Sequence, residues 1–188
     1  MGAISCANQL KQLGIYEHFY EDEYDGGTIP GLIDSWTYAG STVTNVSWQH
    51  IVQVLYVDKK MILCPAQGSS TNYNDKTIGG KVYSDHWPNY AANMCGMGQI
   101  SGGSRVCAGH PTNSATILYP AFNAKSLSNK ILLCDTDTNG AGFYNNQVSA
   151  RVATVRHGGR SNCLWGDGHV EPLTQPWTQY NNSHVLNQ

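Results

Sequence analysis

Apolar residues recur at helical spacing over about residues 4–20, with polar residues between them. The stripe is formed by Ile4, Ala7, Leu10, Leu13 and Tyr16 or Tyr20. This spacing predicts an amphipathic helix whose apolar stripe must lie against another element. An acidic, glycine-rich run at residues 21–27 ends the helix, and a loop follows through Pro30.

Shorter patterns predict the elements that follow. Residues 47–55 show helical spacing, residues 60–64 form a short apolar run closed by Pro65, and residues 130–134 form the most apolar run. We therefore expect a second helix and then two short strands. Residues 67–120 are rich in turn residues and predict a loop-rich middle with two short strands, near Tyr90 and Val106. Apolar residues alternate over 148–156, which predicts a half-buried strand.

An Asp167-Gly168 turn lies between two short apolar runs, at residues 162–165 and 169–171. Asp-Gly between such runs predicts a β-hairpin, because a tight hairpin turn requires positive φ. The C-terminal sheet then covers about 130–173, and residues 174–188 form a polar tail. The whole chain, 1–188, is predicted to be one α+β domain with a long N-terminal helix packed on an antiparallel sheet.

Composition narrows the class of protein. The 188 residues are 40% hydrophobic and 13% charged, which suits a packed core better than a disordered chain. With 11 Lys and Arg against 13 Asp and Glu, the chain offers no basic face for nucleic acid. The apolar runs are far shorter than the roughly 20 residues needed to span a bilayer.

Six cysteines in a lysine-poor chain favour an oxidising compartment. Cys95 and Cys107 bracket a glycine-rich loop, and we expect them to form a disulfide. Cys6 and Cys64 are a plausible second bridge, between helix and sheet. There is no C-x-x-C pair, and the C-x2-H spacing of Cys107 and His110 is a weak zinc signal without a second pair.

Cys134 and Cys163 lie in predicted strands and are expected to be free buried thiols. Cys163 with His157 and Asp167 resembles the composition of a thiol triad. A cysteine in an apolar strand is more often inert packing than a nucleophile, and the chain has no G-x-S-x-G, H-E-x-x-H or P-loop motif. The sequence therefore favours a protein that is not an enzyme.

Residues 135–140 spell D-x-D-x-N-G, the first half of an EF-hand-type calcium loop. In such a loop Asp135, Asp137 and Asn139 would bind Ca²⁺ through oxygen atoms. Position 12 is Asn146 rather than Glu, and no helices are predicted to flank the loop. The alternative is a turn rich in Asp and Asn that follows a strand.

Tryptophans and many tyrosines suggest either a sugar-stacking surface or ordinary core packing. The tryptophans in question are Trp36, Trp48, Trp87 and Trp177. The first interpretation leads to an alternative function, an extracellular module that binds carbohydrate or another surface.

Two segments carry a resemblance to a known family. Residues 5–14 resemble the C-x-x-N-L-K-Q-[IL]-G stretch after the membrane anchor of pilin-like proteins related to type II secretion major pseudopilins, with Gln9 inside the stretch. Residues 156–171 match the H-X9-DG signature of the prepilin-type processing-associated C-terminal domain, through His157 and Asp167-Gly168. Residues 63–65 and 131–135 resemble intermediate blocks of the same family.

The resemblance implies a pilin-like fold and a structural subunit of a type II secretion or type IV pilus-like fibre. Its partners would be other pilin-like subunits and the secretion or pilus machinery, in the periplasm or at the cell surface. The family anchors its subunits in the inner membrane by an N-terminal helix, so we expect about 20 apolar residues before Ile4 in the full-length protein. Major pseudopilins hold calcium in a C-terminal loop, which adds to the calcium hypothesis. The alternative function would place the binding module on a pilin-like stalk.

The H-X9-DG signature has two interpretations. His157 with Asp167-Gly168 could serve subunit contact or processing. The simpler interpretation is that His157 hydrogen-bonds into the hairpin and fixes its register, while Gly168 supplies the positive φ.

Overall fold

The computed structural model describes residues 2–24, 27–67, 71–87, 89–93, 97, 99–101, 104–106, 131–136, 142–143 and 156–174. The helices are α1 (Gly2–Glu23) and α2 (Trp48–Leu55), and a 3₁₀ turn covers Lys59–Ile62. The strands are β1 (Leu32–Tyr38), β2 (Ser41–Ser47), β3 (Thr71–Ile78), β4 (Lys81–Trp87), β5 (Tyr90–Asn93), β6 (Gln99–Ser101), β7 (Ser104–Val106), β8 (Ile131–Asp135), β9 (Gly142–Phe143), β10 (Arg160–Trp165) and β11 (Val170–Thr174).

The described strands form three mainly antiparallel sheets. The largest has the order β11-β10-β8-β5-β9, and its β5–β9 pair is parallel. A second has the order β2-β1-β6-β7 with a parallel β1–β6 pair, and β3 and β4 form a separate hairpin. The fold is therefore α+β with an N-terminal helix and antiparallel sheets, as the sequence predicts.

α1 packs across β10 and β11 through one buried stripe. The stripe consists of Cys6, Leu10, Leu13, Glu17 and Tyr20. It is rotated from the predicted stripe, since it begins at Cys6 and leaves Ile4 74% exposed. Gly14 lies where the helix comes closest to the sheet, because a Cβ there would be 2.9 Å from Cδ1 of Leu164.

Apolar residues cover both faces of the five-stranded sheet, since successive strand residues point to opposite sides. Leu164 and Tyr90 join the main core with α1 and α2. Cys163 and Trp165, the neighbours of Leu164, belong to a second buried cluster with Leu173. β10 is therefore buried on both faces.

The predicted α2, β8 and C-terminal hairpin are confirmed. Ser47 begins α2 as its N-cap, and His50 completes a capping box. β10 and β11 pair from Leu164 with Val170 to Arg160 with Thr174. The predicted strand at residues 148–156 and the tail at 174–188 lie outside the described residues, apart from Arg156 and Thr174.

Two predictions of local structure are wrong. Residues 59–62 form a 3₁₀ turn instead of a strand, because the Asp58 side chain caps it by accepting a hydrogen bond from the Lys60 N–H. The middle of the chain contains more strand than predicted: β3, β4 and β6 are present in addition to the expected strands near Tyr90 and Val106. Residues 107–120 of that middle lie outside the described residues.

The β1–β2 hairpin is also missing from the predictions. Its two-residue loop, Ala39-Gly40, has φ values of 47° and 77°, the conformation of a tight hairpin turn. Residues 34–45 are mostly polar or exposed, so the apolar alternation that marks a half-buried strand is weak.

Truncation of Leu10 tests the packing of α1. Leu10→Ala is expected to lower the free energy of unfolding by about 2–5 kcal/mol, because Leu10 is fully buried between helix and sheet. Ile15→Ala is the matched control, since Ile15 lies on the same helix and is 52% exposed. Its effect should stay within about 0.5 kcal/mol. Chemical denaturation measures both, and equal losses would contradict the observed seating of α1.

Candidate functional site

Four polar side chains from distant parts of the chain converge beneath the N-terminal half of α1. Cys6 lies on α1, Cys64 follows the 3₁₀ turn, Asp135 ends β8, and His157 lies in the turn before β10. One ligand atom from each lies within 4.8 Å of the others. We call these four residues the thiol–carboxylate cluster.

Asp135 is the centre of the cluster and is completely buried. Its Oδ1 accepts a hydrogen bond from the Cys6 thiol at 2.9 Å. Its Oδ2 accepts one from the Asn162 backbone N–H at 2.8 Å and lies 3.1 Å from His157 Nε2. A buried carboxylate is costly unless it is bonded in this way, so these contacts keep Asp135 in place.

The two thiols share a polar environment. Cys64 Sγ lies 3.6 Å from His157 Nε2, and its backbone N–H donates to Asn89 Oδ1 at 2.8 Å. The hydrogen bond between the thiols lowers the pKa of Cys64 to about 6. The same bond, with burial and the Asp135 charge, raises the pKa of Cys6.

His157 is held in an uncommon backbone conformation. Its φ is 51°, and it opens a left-handed turn with Gly158 and Gly159 at 73° and 85°. A non-glycine residue in this region stores strain that the surroundings must compensate. The hydrogen bond to Asp135 supplies part of that compensation and raises the pKa of His157.

Buried Arg156 ties the loops around the cluster together. Its guanidinium donates to the backbone carbonyls of Asn89, at 3.2 Å, and Thr136. The Thr136 N–H also donates to the Asn89 carbonyl at 2.9 Å. These bonds hold the end of β8 against the segments that carry Cys64 and His157.

A cleft of about 480 Å³ lies beside the cluster. His157 lines it, together with Ala7 of α1 and Asn162 of β10. The cleft is largely open to solvent. Because His157 lines the cleft and also contacts Cys64 and Asp135, it lies between the buried groups of the cluster and the solvent.

The H-X9-DG spacing corresponds to the length of β10 and the turns on either side of it. His157 precedes β10 and Asp167-Gly168 follows it, so the spacing matches one strand and its turns. Gly168 has a φ of 84°, which the turn requires. The His157 side chain points to Asp135 and Cys64 rather than into the hairpin, and Asp167 instead accepts a hydrogen bond from the His169 N–H at 3.1 Å.

Cys134 and Cys163 form a disulfide between directly opposed residues of β8 and β10. The expectation that they are free thiols is wrong, because strand pairing places them side by side. The bond also excludes Cys163 as a nucleophile. Cys6 and Cys64, expected to be bridged, are adjacent but are both free thiols in the structure.

The other predicted site residues are only partly described. Cys95, Cys107 and His110 lie outside the described residues. The same holds for Asp137 and Asn139 of the predicted calcium loop. Asp135, the third predicted calcium ligand, points into the thiol–carboxylate cluster and uses both oxygens there. The calcium site stays a prediction, and it would compete with the cluster for Asp135.

The tryptophans do not form one surface in the described part of the chain. Trp48 is buried in the main core, so it cannot stack on a sugar. Trp36 is partly buried and packs against Tyr38 with 5.2 Å between the ring centroids. The side chains of Trp87 and Trp177 lie outside the described residues.

A second buried polar group caps α2. Ser47, His50 and Asp85 have the composition of a catalytic triad, but Ser47 and Asp85 both lie on the Nδ1 side of His50. His50 Nε2 donates to the Asn74 carbonyl at 2.7 Å. This arrangement fixes the helix start, and its serine is buried rather than facing solvent.

Comparison with known proteins gives no match to any family model, any curated protein or any solved structure. Neither helix of the described part of the chain is long and apolar enough to cross a membrane.

Replacement of Asp135 tests the cluster as a structural unit. Asp135→Asn is expected to lower the free energy of unfolding by about 1–3 kcal/mol in the presence of a chelator, because an amide group would face the donors that the carboxylate accepts from. Asp22→Asn, at an exposed position of α1, is the control and should change stability by less than about 0.5 kcal/mol. Chemical denaturation compares them, and an unchanged Asp135→Asn variant would show that the cluster contributes nothing to folding.

Proposed function

We propose that the chain is the globular part of a pilin-like, non-enzymatic structural subunit of a type II secretion or type IV pilus-like fibre. The observation that carries the proposal is the seating of α1 on the β10–β11 hairpin. The resemblance implies the same arrangement, a long N-terminal helix on an antiparallel sheet. The H-X9-DG residues flank β10, the strand on which α1 rests.

α1 has the form that such an assembly needs. Its 22 residues make a rod of about 33 Å. One face is buried on the sheet, while Ile4, Ile15 and Phe19 are 74%, 52% and 51% exposed. These three residues lie within about 60° of helix rotation, on the side opposite the buried stripe. An apolar face of this kind can pack on the helix of a neighbouring subunit.

In this proposal the partners are other subunits of the same fibre and the machinery that assembles them. The subunit would lie in the periplasm or at the cell surface, held at the inner membrane by an apolar helix that precedes this chain. Most of the association energy would come from that apolar part, and the exposed face of α1 would continue its packing surface.

Two charges on the exposed face of α1 test this role. The complete protein, expressed in its source bacterium, should be recovered in sheared surface fibres. Ile15→Glu with Phe19→Glu should be absent from the fibres, because each carboxylate would be buried between subunits. Val82→Glu is the control, since Val82 is 65% exposed on β4, away from α1.

The melting temperatures of the three soluble chains should agree, which separates assembly from folding. Fibres formed equally well by the double variant, or no fibre from the unaltered protein, would contradict the proposal. Polysaccharide binding by the soluble chain without any fibre would support the alternative, a carbohydrate- or surface-binding module.

A further inference from the structure

We propose that the thiol–carboxylate cluster is a structural Zn²⁺ site that fastens α1 to the sheet. The ligands are Cys6, Cys64, Asp135 and His157. The inference does not depend on a role in a fibre, because it follows from the cluster alone.

The spacing of the ligand atoms suits a tetrahedral ion. Zinc bonds of about 2.0–2.3 Å require neighbouring ligand atoms about 3.3–3.8 Å apart. The distance from Cys64 Sγ to His157 Nε2 is 3.6 Å, and that from His157 Nε2 to Asp135 Oδ2 is 3.1 Å. The Cys6 Sγ to Asp135 Oδ1 distance is 2.9 Å. These last two distances end on different oxygens of Asp135, of which the ion would take one, and the four ligand atoms all lie within 4.8 Å of one another. Side-chain shifts of up to about 1 Å would bring them to the spacing that a tetrahedral ion needs.

The donor set favours zinc over calcium or magnesium. Calcium and magnesium bind oxygen ligands, and the cluster offers two sulfur atoms, one imidazole nitrogen and one carboxylate. Four protein ligands without an open position are typical of structural zinc sites. The site cannot be recognised as a metal-binding motif in the sequence because its ligands lie far apart. Cys6 and Asp135, for example, are separated by 129 positions.

The charges balance when Zn²⁺ binds. One proton leaves each thiol, and His157 Nε2 gives up the proton that bonds to Asp135, so that the imidazole binds in its neutral form. Two thiolates and the Asp135 carboxylate then bring three negative charges against the two positive charges of the ion. Arg156, which precedes the ligand His157 in the chain, is buried and bonds to the Asn89 and Thr136 carbonyls, so its positive charge is held close to the site. The ion, its ligands and this arginine are then neutral together.

Outer hydrogen bonds already orient the ligands. The Asn162 N–H bonds to Asp135 Oδ2, and the Tyr90 hydroxyl lies 3.2 Å from Cys6 Sγ. Such partners fix ligand direction and strengthen metal binding. The left-handed turn at His157 aims its Nε2 into the cluster, and the cleft beside it provides an entry path.

Metal analysis and cobalt substitution test the proposal on the folded chain. Protein purified without chelator is expected to hold one zinc per chain, and its melting temperature should rise with added Zn²⁺. The metal-free protein titrated with Co²⁺ should show thiolate-to-cobalt charge-transfer absorption and the visible bands of a tetrahedral ion. Peptide mapping without reduction should find Cys6 and Cys64 as thiols.

Matched variants locate the ion. Cys64→Ser should lower the charge-transfer absorption, because one of the two thiolates is lost, and should weaken Zn²⁺ binding by more than roughly 100-fold, the upper end of what losing an outer hydrogen-bond partner costs. His169→Gln, an exposed histidine near the hairpin turn, should bind normally. The pair Cys95→Ser and Cys107→Ser should also keep the cobalt spectrum.

Three results would overturn the site. One is folded, unaltered protein with free Cys6 and Cys64 that gives no cobalt charge-transfer absorption. Another is a Cys6–Cys64 disulfide found in the purified protein. The third is a cobalt spectrum that Cys64→Ser leaves unchanged but that is lost with Cys95→Ser and Cys107→Ser.

Discussion

The contact between α1 and the β10–β11 hairpin is the constraint on which the rest of the structure depends. Leu10 and Leu13 bury one side of the helix, and Gly14 lets the helix backbone approach Leu164 closely. β10 is buried on both faces and paired on both edges, so the helix rests on an enclosed strand of the largest sheet. This seating decides which face of α1 remains exposed.

The thiol–carboxylate cluster holds the N-terminal half of α1 against the sheet through hydrogen bonds and an ion pair. Asp135 joins the helix through Cys6, the β10 backbone through Asn162, and the preceding turn through His157. An apolar stripe alone sets the rotation of a helix loosely, whereas directional bonds to a buried carboxylate define its position along the sheet. A fibre subunit would need such a fixed helix, because neighbouring subunits pack against it.

The sequence predicts the elements whose patterns are local. The helix, β8 and the Asp167-Gly168 hairpin each have a periodicity or a turn residue that acts within a few positions. The β1–β2 and β3–β4 hairpins are not predicted from the sequence, since their strands lack regular apolar alternation and Gly79-Gly80 is equally typical of a loop. The cluster could not be predicted, because tertiary pairing alone brings Cys6 near Asp135. The positive φ of His157 could not be predicted either, because no feature of the sequence indicates it.

Native-state hydrogen exchange of the chain 1–188 tests the seating of α1 most directly. If the helix and sheet form one cooperative unit, the amides of α1 between Leu10 and Tyr20 should open with the same free energy as those of β10. Exchange of the α1 amides at a much lower free energy than those of Arg160–Trp165 would contradict the account, because the helix would then open independently of the sheet.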